Sequence, residues 1–170
     1  MGWGELTHES RVLLRPVMQG HRVWDWGAGD LQLSRALVKL GVREVFAVDS
    51  KDIGVRRIPP KIQFIQTCFA DAPLPQPDDI SVVSWPPNYA LPGLVERLEI
   101  TELLIYLGLN DKYTTCGNEK LFQHFLRRDL LVYINCGRDV LIMLGKKLKT
   151  PRFPTPEEAA ALERCSLSLR

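Results

Sequence analysis

The stretch Val23–Ser50 has the clearest pattern of apolar and polar positions in the chain. It opens with the apolar pair Val23 and Trp24, continues through a turn with two glycines, and closes with the apolar run Val45–Val48. Between the turn and that run, apolar residues recur at spacings of three and four: Leu33, Ala36, Leu37 and Leu40. This order predicts a strand, a helix with one buried face, and a second strand parallel to the first.

The rest of the chain extends this unit on both sides. A helix is predicted over 7–18, capped by Thr7 and bent or ended by Pro16. Further strands are predicted at Ile62–Gln66, Asp79–Ser84 and Leu103–Leu107, a helix begins after Asn118 with His124 on its solvent side, and a hairpin pairs Leu130–Ile134 with Val140–Leu144. The order of elements predicts an α/β fold with a mostly parallel sheet and an antiparallel hairpin at its end.

The turn after the first strand carries the candidate chemistry. Gly27 and Gly29 allow a tight turn and a close approach of the backbone to a ligand. Asp49 ends the second strand, and the first turn and that strand end face the same crevice in a βαβ unit. A carboxylate there can accept hydrogen bonds from the two hydroxyls of a ribose. The pattern therefore predicts a cofactor that contains a nucleoside, unless Asp25 and Asp49 serve only as turn and cap residues.

Two residues argue against a dinucleotide cofactor. Gln32 stands where the dinucleotide fingerprint has its third glycine, and Asp30 would lie near the pyrophosphate. An α/β enzyme that uses a different nucleotide is disfavoured by Asp25 and Gln32.

The sequence Asp25-Trp26-Gly27-Ala28-Gly29 resembles the first motif of class I S-adenosylmethionine-dependent methyltransferases. The resemblance implies a three-layer Rossmann-like fold with a seven-stranded sheet, and S-adenosyl-L-methionine as cofactor. It implies that Asp25 helps to hold the cationic methionine end and that Asp49 binds the ribose. The cofactor residues it implies are Asp25, Gly27, Ala28, Gly29, Asp49, Ser50 and Asp71, the last as acceptor for the adenine amino group.

The segment after the fourth strand resembles the acceptor side of amino-group methyltransferases. In that family the strand ends in Asp, Asn or Ser, followed by Pro-Pro and an aromatic residue. Here Trp85 stands in the place of the polar residue, and an indole cannot accept a hydrogen bond. The candidate acceptor-side residues are Trp85, Pro86, Pro87 and Tyr89, and no general base is assigned.

Size and composition narrow the possibilities further. The 170 residues predict one domain over 1–150 and a tail with a short helix over 151–170. The net charge of +2 does not indicate nucleic acid, no stretch is apolar enough to span a membrane, and the four cysteines are too scattered for a metal site. We expect a cytoplasmic protein; its oligomeric state is not determined by the sequence.

The predicted function is transfer of a methyl group from S-adenosylmethionine to an acceptor that the sequence does not identify. Nucleic acid is slightly favoured by the proline segment, the aromatic residues near it and the basic residues of the tail. The alternative is a catalytically inactive, methyltransferase-like module that binds a cofactor or a partner.

Overall fold

The computed structural model describes residues 6–52, 54, 57–87, 91–109, 118–136 and 139–146. Within these ranges the elements follow in the order α1 (His8–Met18), β1 (Arg22–Trp26), α2 (Gln32–Lys39), β2 (Glu44–Asp49), β3 (Ile62–Gln66), β4 (Ile80–Ser84), α3 (Leu94–Leu98), β5 (Leu103–Leu109), α4 (Glu119–Leu126), β6 (Asp129–Cys136) and β7 (Asp139–Gly145). The predicted tail over 151–170 lies outside the described residues.

The seven strands form one sheet in the order β3-β2-β1-β4-β5-β7-β6. Neighbouring strands from β3 to β5 are parallel, and β7 is antiparallel to both β5 and β6. The predicted mostly parallel sheet with a terminal antiparallel hairpin is confirmed. The chain leaves β1 for β2 on one side and later returns to β4 on the other, so the strand order reverses between β1 and β4. A crevice is expected at the carboxyl ends of the strands at this switch point.

Helices cover both faces of the sheet. One apolar core joins residues of α1 and α2 to Val23, and a second core joins residues of α3 and α4 to Trp24. Because successive side chains of a strand point to opposite faces, adjacent residues of β1 reach different cores. The result is the predicted three-layer arrangement, with β1 buried from both sides.

The buried carboxylate of Asp79 fastens the start of β1. Its side chain is 2% exposed and accepts hydrogen bonds from Arg22 Nε at 2.8 Å, Trp24 Nε1 at 2.9 Å and the backbone N–H of Gln76 at 2.8 Å. A buried carboxylate requires such donors, since it has lost its water. This cluster holds β1 against the turn before β4, and therefore helps to fix the two strands that flank the switch point.

Helix α1 contains a proline, and the N-cap residue of helix α2 makes no side-chain cap hydrogen bond. Thr7 caps α1 as predicted, but Pro16 lies inside the helix, which continues to Met18. Pro16 and Val12 are both exposed, so water can reach the Val12 carbonyl that proline leaves without its donor. At α2 the N-cap residue is Leu31 with φ of +65°, and the side chain of Asp30 accepts from the N–H of Gln32 at 3.1 Å.

The prediction that His124 lies in water is wrong. His124 is 2% exposed, and the helical spacing puts it on the same stripe of α4 as Leu121 and Phe125. Its Nε2 accepts a hydrogen bond from Arg128 Nε at 3.0 Å, and Arg128 also donates to the Thr101 carbonyl at 2.9 Å, just beyond the end of α3. The polar pair is thus buried because it joins the ends of two helices.

Acid is expected to destabilise the fold through His124. Burial lowers the pKa of His124 to about 3, with the nearby Arg128 and Arg127 charges acting in the same direction. Below the ordinary pKa of 6.5 the unfolded chain therefore takes up a proton that the native chain does not, and stability falls by up to about 1.4 kcal/mol per pH unit. His124→Gln keeps an acceptor for Arg128 and removes this titration.

Urea unfolding of both proteins at pH 7 and pH 5 measures the effect. The stability of the wild type relative to the variant should fall by about 2 kcal/mol between the two pH values. An unchanged difference would contradict the assignment.

Candidate functional site

The turn that follows β1 has a backbone conformation that favours glycine. Gly27 has φ of +82° and Gly29 has φ of +52°. A Cβ at either position would meet no atom within 4 Å among the described residues. Glycine is therefore required by the backbone angle rather than by crowding, and the space in front of the turn is open to a ligand.

Three N–H groups bind the turn to the end of β2. The N–H groups of Gly27 and Ala28 donate to the Val48 carbonyl at 2.9 and 3.1 Å, and the Gly29 N–H donates to Asp49 Oδ2 at 2.9 Å. The other oxygen of Asp49 accepts from the Lys51 N–H at 2.9 Å. A carboxylate offers about four acceptor positions. Asp49 is therefore fixed in place and retains the capacity to bind hydroxyl groups of a ligand.

Asp25, in β1, is more deeply buried than Asp49 at the end of β2. It is fully buried, and Ser34 Oγ of α2 donates to its Oδ2 at 2.5 Å, whereas its Oδ1 has no partner in the described part of the chain. Burial raises the pKa of Asp25 to about 6; the Ser34 hydrogen bond opposes this rise and the negative charge of Asp49 adds to it. A cationic group near these two carboxylates would reduce the repulsion between them and could donate a hydrogen bond to Asp25 Oδ1.

The remaining cofactor-side candidates lie at the same edge of the sheet. Ala28 is buried beneath the turn, and Ser50 is exposed beside Asp49. Asp71 is exposed in the segment after β3, where its Oδ2 accepts a hydrogen bond from the Cys68 thiol at 2.8 Å. The Thr67 N–H donates to the Asp49 carbonyl at 3.0 Å, so this segment starts beside the end of β2.

The segment after β4 is held by the neighbouring strand and helix. Trp85 has φ of +47°, a left-handed conformation that is strained for a bulky side chain, and its N–H donates to the Leu107 carbonyl at 2.8 Å. Pro86 is buried, and the Pro87 carbonyl accepts from Asn118 Nδ2 at 3.1 Å. Asn118 caps α4 with its other side-chain atom. Tyr89, the fourth acceptor-side candidate, lies outside the described residues.

No protein-family model and no curated protein matches the chain. Solved structures do. A protein of Pyrococcus horikoshii proposed as an RNA methyltransferase is 18% identical with a TM-score of 0.58, and each chain is covered over 81% of its length. The chain has the class I methyltransferase fold.

Two further structures with this fold have other acceptors. The 1,6-didemethyltoxoflavin-N1-methyltransferase of Burkholderia thailandensis, solved with S-adenosylhomocysteine, is 12% identical with a TM-score of 0.60, covering 82% of this chain and 77% of its own. The ribosomal protein L11 methylase of Lactobacillus delbrueckii subsp. bulgaricus is 18% identical with a TM-score of 0.54, covering 82% and 78%. The three neighbours thus differ in acceptor class, while the fold is common to all of them.

On the methyltransferase fold, the predicted residues fall into two groups. The glycine turn, Asp25 and Asp49 are brought together around the carboxyl ends of β1 and β2. Trp85, Pro86 and Pro87 follow β4, on the other side of the switch point. The two groups therefore flank the β1/β4 switch point, where a crevice is expected, from opposite sides.

The described residues contain neither a candidate metal site nor a helix that could span a membrane. Within them, no group of three or more His, Cys, Asp or Glu side chains could hold a metal ion. No helix in the same part of the chain is long and apolar enough to cross a membrane.

Ser84 is a candidate that the sequence interpretation missed. It is the last residue of β4, one place beyond the pair Trp26 and Val83. Because it alternates with Val83, its side chain lies on the face of the sheet that holds Asp25. A hydroxyl can accept as well as donate a hydrogen bond. The sequence carries a signal for it, since the related motif can end its strand in Ser, but in that motif the polar residue stands directly before Pro-Pro, and here Trp85 holds that place.

Charge removal at Asp25 should be stabilising in a pH-dependent manner. A carboxyl with a raised pKa contributes stability below its ordinary pKa of 3.8, and this contribution is lost as the pH rises through about 6. Asp25→Asn removes the penalty at neutral pH. The stability of the variant relative to the wild type should therefore rise by about 2 kcal/mol between pH 4 and pH 8.

Chemical denaturation of the ligand-free proteins at both pH values tests this prediction. Asp30→Asn, at an exposed carboxylate of the same turn, is the control and should give no comparable change. A pH-independent effect of Asp25→Asn would show that Asp25 carries no buried charge at pH 8.

Proposed function

We propose that the chain transfers the methyl group of S-adenosylmethionine to an acceptor molecule. The observation that supports this most strongly is the Asp49 carboxylate, held by the Gly29 N–H beside the open space in front of the glycine turn. A fixed carboxylate at the end of β2 suits the two ribose hydroxyls of a nucleoside. Its position next to the β1/β4 switch point is the place where α/β sheets bind such ligands.

The charges of the site fit this cofactor. S-adenosylmethionine carries two cationic groups, an ammonium and a sulfonium, whereas a nucleotide carries anionic phosphates. The buried Asp25, whose Oδ1 has no partner among the described residues, and the nearby Asp49 favour the cations and disfavour phosphate. When bound, the cofactor supplies an activated methyl group. The protein's own contribution is to orient donor and acceptor and to exclude water.

The acceptor side of the proposal consists of Ser84 with Trp85, Pro86, Pro87 and Tyr89. The Ser84 hydroxyl can accept a hydrogen bond from an amino group, a role that the Trp85 indole cannot perform. Left-handed backbone at a bulky residue costs roughly 1–3 kcal/mol and occurs preferentially at functional sites. The left-handed Trp85 is the residue that connects Ser84 to the Pro-Pro segment.

We favour a nucleobase as the acceptor. A flat base can stack on an aromatic side chain, which contributes about 1–3 kcal/mol per base and needs no particular sequence. Trp85 and Tyr89 are the aromatic residues next to the proline segment. We also propose that the protein is cytoplasmic, as expected from the sequence.

A non-catalytic module is the second candidate. It is favoured by one observation, namely that the position after β4 is filled by a strained tryptophan rather than by a carboxylate or an amide. Such a module would keep cofactor binding through Asp49 and would lack methyl transfer.

Asp49→Asn should weaken binding of S-adenosylhomocysteine. The amide keeps an oxygen for the Gly29 N–H but loses the charge and one acceptor that the ribose hydroxyls need. Because a hydrogen bond to a charged group contributes about 1.5–3 kcal/mol, the dissociation constant should rise by roughly 10- to 100-fold in calorimetric titration. Asp52→Asn, at an exposed carboxylate three residues on, is the matched control and should bind normally. Equal affinity of the wild type and Asp49→Asn would remove the ribose assignment.

Ser84→Ala separates catalysis from binding. If Ser84 orients the acceptor, the variant should transfer tritiated methyl groups to RNA or DNA at least about tenfold more slowly, with unchanged affinity for S-adenosylhomocysteine. Transfer of tritiated methyl groups to protein and to small-molecule fractions is measured for comparison. Cofactor binding by the wild type without transfer to any of these fractions would favour the non-catalytic module.

A further inference from the structure

Helix α3 reaches across to the segment that carries Asp71. Arg97 Nη2 donates to the Ala70 carbonyl at 2.5 Å and to the Ala72 carbonyl at 2.9 Å. These two carbonyls belong to the residues on either side of Asp71. A single guanidinium nitrogen thus holds the backbone on both sides of the carboxylate.

A second contact between the same two segments is purely steric. Gly93, the N-cap residue of α3, has φ of +80°, and a Cβ on it would lie 2.4 Å from Cα and 2.5 Å from N of Ala70. The backbones therefore touch, and only glycine allows this approach. The start of α3 and its Arg97 together fix the position of Ala70.

Local hydrogen bonds orient the Asp71 side chain on this backbone. The N–H groups of Asp71 and Ala72 both donate to the Cys68 carbonyl at 3.1 Å, and the Cys68 thiol donates to Asp71 Oδ2. These bonds form a turn within the segment. Contacts with the rest of the fold place the turn relative to the sheet. Phe69 packs edge-on against Trp26 of β1, and Arg97, more than twenty residues away, holds the carbonyls on both sides of Asp71.

We propose that Arg97 is a positioning residue that sets the base specificity of the cofactor site. By holding the carbonyls of Ala70 and Ala72, it keeps the Asp71 carboxylate where that group accepts a hydrogen bond from the amino group of adenine. The inference rests on the proposed function.

The physical reason is that discrimination between bases requires an accurately placed acceptor. Hypoxanthine has a carbonyl oxygen where adenine has its amino group, so a fixed carboxylate attracts adenine and repels hypoxanthine. A carboxylate that can retreat loses the attraction and the repulsion together, because hydrogen bonds weaken steeply with misalignment. Arginine suits this task better than lysine, since its planar guanidinium holds two acceptors in a defined geometry.

The test compares the affinities of S-adenosylhomocysteine and its hypoxanthine analogue, S-inosylhomocysteine, by calorimetric titration. The wild type should prefer the adenine compound by roughly 10- to 100-fold, as expected for a hydrogen bond to a charged acceptor. Arg97→Met keeps the apolar stem and removes the donors; it should reduce this preference to about threefold or less. Binding of the hypoxanthine compound should be unchanged or slightly tighter. Arg97→Lys should lie between the two.

Asp71→Ala provides the matched variant. It should abolish the preference by itself, and adding Arg97→Met to it should change the preference no further. If Arg97→Met does not fold, the same comparison is made with Arg97→Lys, whose preference must then be smaller than that of the wild type. Hydrogen exchange at the Asp71 and Ala72 amides in the ligand-free protein should be faster in either Arg97 variant.

Three results would overturn the inference, and they are distinguishable. An Arg97 variant that keeps the full preference, whether or not both compounds bind more weakly, leaves Arg97 with a structural role alone. A wild type that binds both compounds without preference removes the role of Asp71 and leaves the proposed function intact. A folded wild type that binds neither compound refutes the proposed function, and the inference with it.

Discussion

The hydrogen bond from the Gly29 N–H to the Asp49 carboxylate joins the turn after β1 to the end of β2. Together with the bonds from Gly27 and Ala28 to the Val48 carbonyl, it determines the shape of the crevice edge. The turn can make these bonds only because two glycines adopt positive φ there. The same carboxylate thus shapes the turn and presents itself to a ligand. A preorganised acceptor of this kind does not have to be ordered again when a ligand binds.

The buried Asp25 illustrates a conflict between stability and binding. Its burial and its proximity to Asp49 disfavour the ionised form, and one hydrogen bond from Ser34 offsets this only in part. An apolar or amide side chain would suit the ligand-free fold better. A negative charge at this place suits a cationic ligand, so the charge of the site supports the proposed cofactor in addition to the fixed position of Asp49.

The other half of the crevice depends on long-range contacts. Trp85 is held to β5 through the Leu107 carbonyl, and the Pro87 carbonyl is held to α4 through Asn118. The segment that carries Asp71 is likewise held from α3 through Arg97. In each of these contacts, the partner element lies later in the sequence than the segment that it holds. The glycine turn is local in sequence, whereas the acceptor side and the proposed base-binding segment acquire their positions from packing.

The sequence by itself determined the layers, the parallel strands and the final hairpin, because hydrophobic period and glycine turns are local properties of the chain. It placed β3 at Ile62–Gln66, as observed, and it identified Asp49 at the strand end beside the turn. Only the tertiary structure decided which distant groups meet, such as Arg97 with the backbone around Asp71. It also decided the burial of His124. Its partner Arg128 follows α4 and also donates to the Thr101 carbonyl beyond α3, and a polar residue on a helix gives no sign of such distant partners. Those partners are set by how the helices pack on the sheet, and no local pattern encodes that geometry.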